Sequence, residues 1–308
     1  MWRLSDSGMS NTTHFSFPNV RHIDDRSLLL HSGVLMHVRP RTRGQPTMIR
    51  GGRFIAAASS GDGIATVNMQ GVARTYCCRR VKFAAAPSYG RSWDSVQAHP
   101  YGFSWIDDSG SAWMSCGVVA HHEFAPPPGR RVVSLGAALH DGLVLLDDGS
   151  VRPFGDWVPR MRGSEFGRGL VDRHPAARAV AGSGDVVALL DPNGQLHFAG
   201  TGAGRMSSLL PTKLPQLTSI ALGFGPRVAA LDVDGRVQWF GEGGVDRRLL
   251  PPEMLEPGFV HVAVGQHWVA AIDGNGFGHA FGYLPGWEMS TDPLAGLLLA
   301  AKASEHAR

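Results

Sequence analysis

Short apolar runs closed by a polar residue and a glycine recur along this chain. After each comes a second short run containing an aromatic residue, then another glycine six places after the first. Four segments carry the pattern in full: Leu143-Val-Leu-Leu-Asp-Asp-Gly149-Ser-Val-Arg-Pro-Phe-Gly155, Val187-Ala-Leu-Leu-Asp-Pro-Asn-Gly194-Gln-Leu-His-Phe-Ala-Gly200, Val228-Ala-Ala-Leu-Asp-Val-Asp-Gly235-Arg-Val-Gln-Trp-Phe-Gly241 and Val269-Ala-Ala-Ile-Asp-Gly-Asn-Gly276-Phe-Gly-His-Ala-Phe-Gly282. Three weaker copies precede them, spanning Ser27 to Val38, Ile64 to Tyr76 and Ser104 to Met114. The seven turn glycines (Gly33, Gly71, Gly110, Gly149, Gly194, Gly235 and Gly276) are separated by 38, 39, 39, 45, 41 and 41 residues. A period near 40 held over seven copies marks a repeat architecture.

One unit is physically legible. Asp148-Gly149, Asn193-Gly194, Asp234-Gly235 and Asn275-Gly276 accept positive φ angles, which predicts two-residue hairpin turns between β-rich runs. Upstream stand further glycines, Gly136, Gly182, Gly184, Gly223, Gly225 and Gly265. They predict a tight turn or a close approach of neighbouring backbones. Another apolar run precedes these glycines, such as Val132 to Leu135 or Val260 to Val264, so each repeat supplies three or four short strands. Units of that size, repeated in this number, predict an all-β fold, a seven-bladed β-propeller over residues 21–288. Closure into a ring protects the strand edges. Residues 1–20 hold no full repeat and are expected to close the ring, and residues 289–308 to form a short C-terminal helix, from the Ser290-Thr-Asp-Pro293 start signal.

The repeat resembles that of the regulator of chromosome condensation family, over roughly residues 20–285 and most clearly over 131–282. The resemblance implies a seven-bladed propeller. It also implies, as an alternative function, guanine-nucleotide exchange on a small GTPase, and a partner contact made through a blade insertion. The Gly-Gln-Leu-Gly that commonly follows the aromatic-Gly of that family is absent from every copy; Gly200-Thr-Gly-Ala-Gly-Arg205 and Gly282-Tyr-Leu-Pro-Gly-Trp287 stand in its place.

Composition narrows the remaining choices. The 308 residues are 43% hydrophobic, which permits a large core and excludes a disordered chain, while 40 Gly and 20 Pro without a G-X-Y period exclude collagen. Three cysteines cannot build a disulfide framework, so a reducing compartment is expected. The first residues lack the apolar core of a secretory signal, and the longest apolar stretch, Leu294 to Ala301, is too short to cross a bilayer. A soluble, intracellular protein without membrane insertion follows, with the compartment left open. The net charge of +3 is mild for a nucleic-acid binder.

Candidate chemistry is sparse. His121-His122-Glu123 is the densest metal-like trio, but adjacent strand residues point oppositely, so no metal site is predicted. Cys77 and Cys116 occupy the slot of the aromatic-Gly glycine and read as small packing residues. Gly200 to Gly204 lacks the strand-to-helix context and the Lys of a phosphate loop and reads as a turn. No Ser-His-Asp or paired-carboxylate arrangement stands out, so neither an enzyme nor a cofactor is predicted. Arginines do recur 6 to 13 places after the turn glycines: Arg39, Arg41, Arg43, Arg79, Arg80, Arg160, Arg162, Arg205, Arg247 and Arg248. Equivalent blade positions share one face, which predicts an Arg-rich rim. The longest interval, 45, places an insertion at 156–168, where Trp157, Arg160, Arg162, Phe166 and Arg168 form the best candidate partner-binding site. The predicted function is a non-enzymatic interaction scaffold. It would be a subunit of a larger assembly, with protein partners that are acidic or carry RNA.

Overall fold

The computed structural model describes residues 13–17, 20–23, 27–33, 35–38, 46–49, 53–60, 63–77, 91–99, 102–116, 119–138, 142–154, 164–242, 250–265 and 268–282. After β1 (Thr13–Phe17), the first sheet holds β2 (Val20–Ile23), β3 (Ser27–Leu30), β4 (Leu35–Val38) and β5 (Pro46–Met48). The second holds β6 (Phe54–Ser60), β7 (Gly63–Asn68) and β8 (Ala73–Cys77), and the third β9 (Trp93–His99), β10 (Gly102–Asp107), β11 (Ala112–Cys116) and β12 (Val119–Phe124). The fourth is β13 (Val132–Ala137), β14 (Gly142–Leu146) and β15 (Val151–Phe154), followed by α1 (Ser164–Arg173). The fifth is β16 (Ala179–Ser183), β17 (Val186–Leu190) and β18 (Leu196–Gly200), followed by α2 (Ala203–Ser208). The sixth is β19 (Leu217–Leu222), β20 (Arg227–Asp232) and β21 (Val237–Gly241), followed by α3 (Pro252–Leu255). The seventh is β22 (Phe259–Val264), β23 (Trp268–Asp273) and β24 (Gly278–Gly282), with β1 as its outer strand, paired from Thr13↔Gly282 to Phe17↔Gly278.

Each sheet packs face-on against the next, and β2 lies against β23, so the seven sheets return on themselves as a β-propeller. The apolar runs of the sequence are the second strands of the sheets. They are buried on both faces because neighbouring sheets cover both. Alternation along a strand sends successive side chains to opposite sides. Leu143 and Leu145 therefore enter the core shared with the fifth sheet, while Val144 and Leu146 enter the core shared with the third. Likewise Val187 and Leu189 pack toward the fourth sheet, and Val186, Ala188 and Leu190 toward the sixth. What looks like an unpatterned apolar run is two interleaved alternating faces.

The hairpin turns differ from the two-residue prediction. In six hairpins the turn-glycine N–H donates to the carbonyl three places earlier, as Gly194 does to Asp191 at 3.0 Å. That earlier residue's own N–H donates four places forward, as Asp191 does to Gln195 at 2.9 Å. The loop therefore has three residues, with the glycine in the left-handed region at φ between +71° and +81°. The glycine also serves the ring. Its carbonyl accepts the first N–H of the next sheet, as in Trp93 to Gly71 at 2.8 Å and Phe259 to Gly235 at 2.9 Å. A side chain on Gly235 would lie 2.7 Å from the Phe259 carbonyl oxygen.

The upstream glycines divide between the two expectations: Gly184 and Gly225 take positive φ in turns, while Gly136, Gly182 and Gly223 stand against neighbouring backbone. The first strands of successive sheets lie side by side around the ring, and Gly136 and Gly182 let β13 and β16 meet.

Three helices were not read from the sequence. Each covers the outer end of a seam between sheets and pushes one or two apolar side chains into it: Leu170 and Val171 from α1, Met206 from α2, Met254 from α3. Burying a side chain such as Leu170 contributes about 1.5–3 kcal/mol. Gly200 to Gly204, read as a turn, runs from β18 into α2, so the strand-to-helix context is present after all. The glycines there answer to packing: a side chain on Gly202 would meet Val186 at 2.8 Å. The predicted helix at 289–308 lies outside the described residues.

Candidate functional site

The turn aspartates have structural work. In Asp191, Asp232 and Asp273 one carboxylate oxygen accepts the backbone N–H groups two and four places on, closing the loop from inside. The other oxygen reaches the side chain six places on, Gln238 for Asp232 at 3.0 Å and His197 for Asp191 at 3.0 Å. In the third sheet Asp107 is fully buried and does more. It accepts from Ser109 Oγ, the Ser111 N–H, Trp113 Nε1 at 3.1 Å and Arg91 Nη1 at 2.8 Å. Arg91 also lies over the Trp113 ring, 4.9 Å from its centroid. Burial pushes the Asp107 carboxyl up, but the hydrogen bonds from Ser109, Arg91, Ser111 and Trp113 together hold it below its ordinary value.

Of the His-His-Glu trio, His121 and His122 are consecutive residues of β12, opposite Ser115 and Met114, while the Glu123 carboxylate lies 3.5 Å from Arg91.

The rim residues fare unevenly. Arg205, on exposed α2, donates its Nε to Glu242 Oε1 at 2.9 Å and its Nη2 to Oε2. The pair joins α2 to the end of β21, so Arg205 is committed to a carboxylate of its own chain. Arg168 is an exposed residue of α1, and Phe166 lies in the same helix. The end of the insertion thus enters α1, which packs on the seam through Leu170 and Val171 just beyond it, a helix the loop reading missed. Arg39, Arg41, Arg43, Arg79, Arg80, Trp157, Arg160, Arg162, Arg247 and Arg248 lie outside the described residues.

Of the eight large apolar side chains exposed among the described residues, Phe224 lies in the β19–β20 loop at the other end of its sheet and Leu255 lies on α3, and the other six sit at the hairpin-turn end of their sheets. Met69, Val72, Val233 and Phe277 lie in or beside hairpin turns. Val133 and Val260 are second residues of first strands, whose starts are hydrogen-bonded to the preceding turn. All six share the face of the ring that carries the turns. Arg205, which follows the third strand of the fifth sheet, belongs to the other side.

One cluster was invisible to sequence reasoning. His174 follows α1, with its N–H donating to the Leu170 carbonyl at 2.9 Å. Its ring stacks on His197 at 3.6 Å between centroids and 27° between planes, and His197 Nε2 meets Asp191 Oδ2 at 3.0 Å. Burial, and then the neighbouring His197, push the His174 imidazole below its ordinary value. Burial pushes the Asp191 carboxyl up, and donation from Gln195, His197 and Asn193 outweighs it. The only available signal was the recurring position six after the turn aspartate; nothing marked His174.

Among the described residues no helix is long and apolar enough to cross a membrane. No family model matches the chain, and no curated protein matches it. Solved structures do. Prp20p of Saccharomyces cerevisiae, described with its binding properties to Gsp1p and histones, superposes with a TM-score of 0.57 at 13% identity, over 85% of this chain and 86% of that one. Yeast RCC1 (Prp20) with bound Kap60 gives 0.53 at 12% identity, over 99% and 100%. Human WBSCR16 gives 0.55 at 14% identity, over 75% and 77%. At these identities the likeness is one of fold: the chain has the propeller fold of RCC1-like proteins.

Proposed function

We propose that the chain is a protein-interaction propeller, a non-enzymatic subunit of a larger assembly. The observation that carries this reading is the placing on the turn face of Met69, Val72, Val133, Val233, Val260 and Phe277, six of the eight large apolar side chains exposed among the described residues, with Val260 65% and Phe277 44% exposed. Large apolar side chains grouped on one face mark interaction surfaces. The insertion residues Trp157, Arg160, Arg162, Phe166 and Arg168, with the remaining rim arginines recognising acidic groups of a partner, would form a second contact surface on the side of the ring away from the turns.

The test is affinity purification of the full chain beside two folded variants. One carries Val260→Glu and Phe277→Glu; the other carries Trp157→Ala, Arg160→Ala and Arg162→Ala. A stable co-purifying protein set lost from the first variant supports the turn face. Retention of the same set by both variants overturns the reading.

A second reading, exchange of guanine nucleotide on a small GTPase, draws on the fold shared with Prp20p, whose structure is described with Gsp1p binding. Fold alone does not carry an activity. Acceleration of nucleotide release from a small GTPase by the full chain would favour it over a passive scaffold.

A further inference from the structure

We propose that His174, Asp191 and His197 form a binding site for one divalent transition-metal ion, of which zinc is the representative, at the seam between the fourth and fifth sheets. One ligand atom from each residue lies within 4.8 Å of the other two, in a half-buried position. Two imidazole nitrogens and one carboxylate oxygen are a donor set that suits zinc, with a fourth position left for water. Tetrahedral bonds of about 2.0–2.2 Å place donors about 3.3 Å apart. Asp191 Oδ2 and His197 Nε2 already stand 3.0 Å apart. The His174 ring lies stacked on His197 at 3.6 Å and has to swing out of that stack, so that its lone pair converges on the point faced by Asp191 and His197, before it completes the set.

Comparison with the other hairpins separates this cluster from routine structure. The sixth sheet makes the same tether with Asp232 and Gln238 and needs no histidine. The fifth and seventh sheets both have an imidazole in that slot, His197 and His279, and in the fifth a second imidazole, His174 at the end of α1, stacks onto it. The His174 ring nitrogens meet no hydrogen-bond partner among the described residues, so stacking is the interaction they leave to that side chain.

Support around the ligands is built in. Asp191 Oδ1 is fixed by the N–H groups of Asn193 and Gln195, both at 2.9 Å, which aims Oδ2 at the histidines. Outer partners of this kind orient metal ligands. His174 is held by its backbone bond to Leu170, itself buried in the seam. To coordinate, His197 carries its ring proton on Nδ1, which frees Nε2 for the metal. A bound ion would tie the end of α1 to the fifth hairpin.

The sixth hairpin suggests the variant. His197→Gln keeps a side chain able to tether Asp191, as Gln238 does for Asp232, but removes one imidazole. His174→Phe keeps a ring over residue 197 and removes the other. The metal-free full chain is titrated with Zn2+ alone by calorimetry, and thermal unfolding is followed with and without one equivalent. The parent is expected to bind one ion and to unfold at a higher temperature with it. Each variant is expected to fold, and to bind about tenfold more weakly or worse. The absence of saturable binding to the parent, or parent-like affinity in either variant, overturns the site.

Discussion

A methyl group on Gly136 would lie 2.6 Å from the carbonyl carbon of Ala181, across the seam where the first strands of the fourth and fifth sheets meet. The relationship is reciprocal: one on Gly182 would lie 2.5 Å from the carbonyl carbon of Ala137. The obstacle is backbone on both sides, so neither can move aside as a flexible side chain does. Gly136→Ala and Gly182→Ala are each expected to cost about 1–3 kcal/mol, the range of overpacked cores. Gly204, inside α2 with open space around its Cα, is the control. There alanine is expected to be neutral or to stabilise by up to about 1 kcal/mol. Urea unfolding of the three variants ranks them.

Asp107 gathers Arg91, Ser109, Ser111 and Trp113 around one buried carboxylate. Asp107→Ala strands the Trp113 Nε1–H and the Ser111 N–H and leaves Arg91 without its closest partner, at an expected cost of about 3 kcal/mol. Its folded pKa is depressed. The stability it contributes is therefore fully present above the unfolded value of about 3.9 and is lost as pH falls through the folded value. Unfolding free energy measured between pH 6 and pH 2 should fall less steeply below pH 4 for Asp107→Asn than for the parent.

The legible part of the fold was the part governed by local rules. Turn glycines such as Gly194 and Gly235 were readable because one residue meets two demands, a positive φ and a carbonyl held against the next sheet. Loop length was not, because the same Asp-Gly or Asn-Gly pair serves two-residue and three-residue turns, and the backbone pairing that separates them, Asp191 with Gln195 or Leu146 with Ser150, is not written in that pair. The seam helices escaped because each is anchored by so few residues: Met206 alone in α2 leaves no period to detect. The His174 cluster escaped for another reason. Its members come from a helix end and a hairpin, and topology rather than spacing brings them together.

The outer strand of the seventh sheet comes from the opposite end of the described chain. β1 pairs with β24 over Thr13 to Phe17, so this sheet is closed by a segment from the start of the described chain. Removal of residues 1–17 is expected to cost about 3 kcal/mol, from some five backbone hydrogen bonds at a net 0.5–1 kcal/mol each. It also bares the β24 edge, and exposed edges recruit other chains. Light scattering and thermal unfolding of the truncated chain should show a lower midpoint together with self-association. A monomer with the parent's midpoint would mean that the remaining pairings suffice.

Arg205 and Glu242 test whether an arginine on the rim is available to a partner. The Arg205 fork is engaged by both oxygens of Glu242, and that carboxyl is held below its ordinary value first by the Arg205 hydrogen bond. Both side chains are exposed, so salt screens the pair and Arg205→Ala should leave thermal stability unchanged. An arginine already occupied by a carboxylate offers little to an incoming anion. Arg205→Ala should therefore barely alter the salt concentration at which the chain leaves heparin. Glu242→Gln should raise that concentration, by freeing the guanidinium and removing a negative charge. If Arg205→Ala instead lowers it, the Glu242 pair yields to polyanions and Arg205 belongs to the binding rim after all.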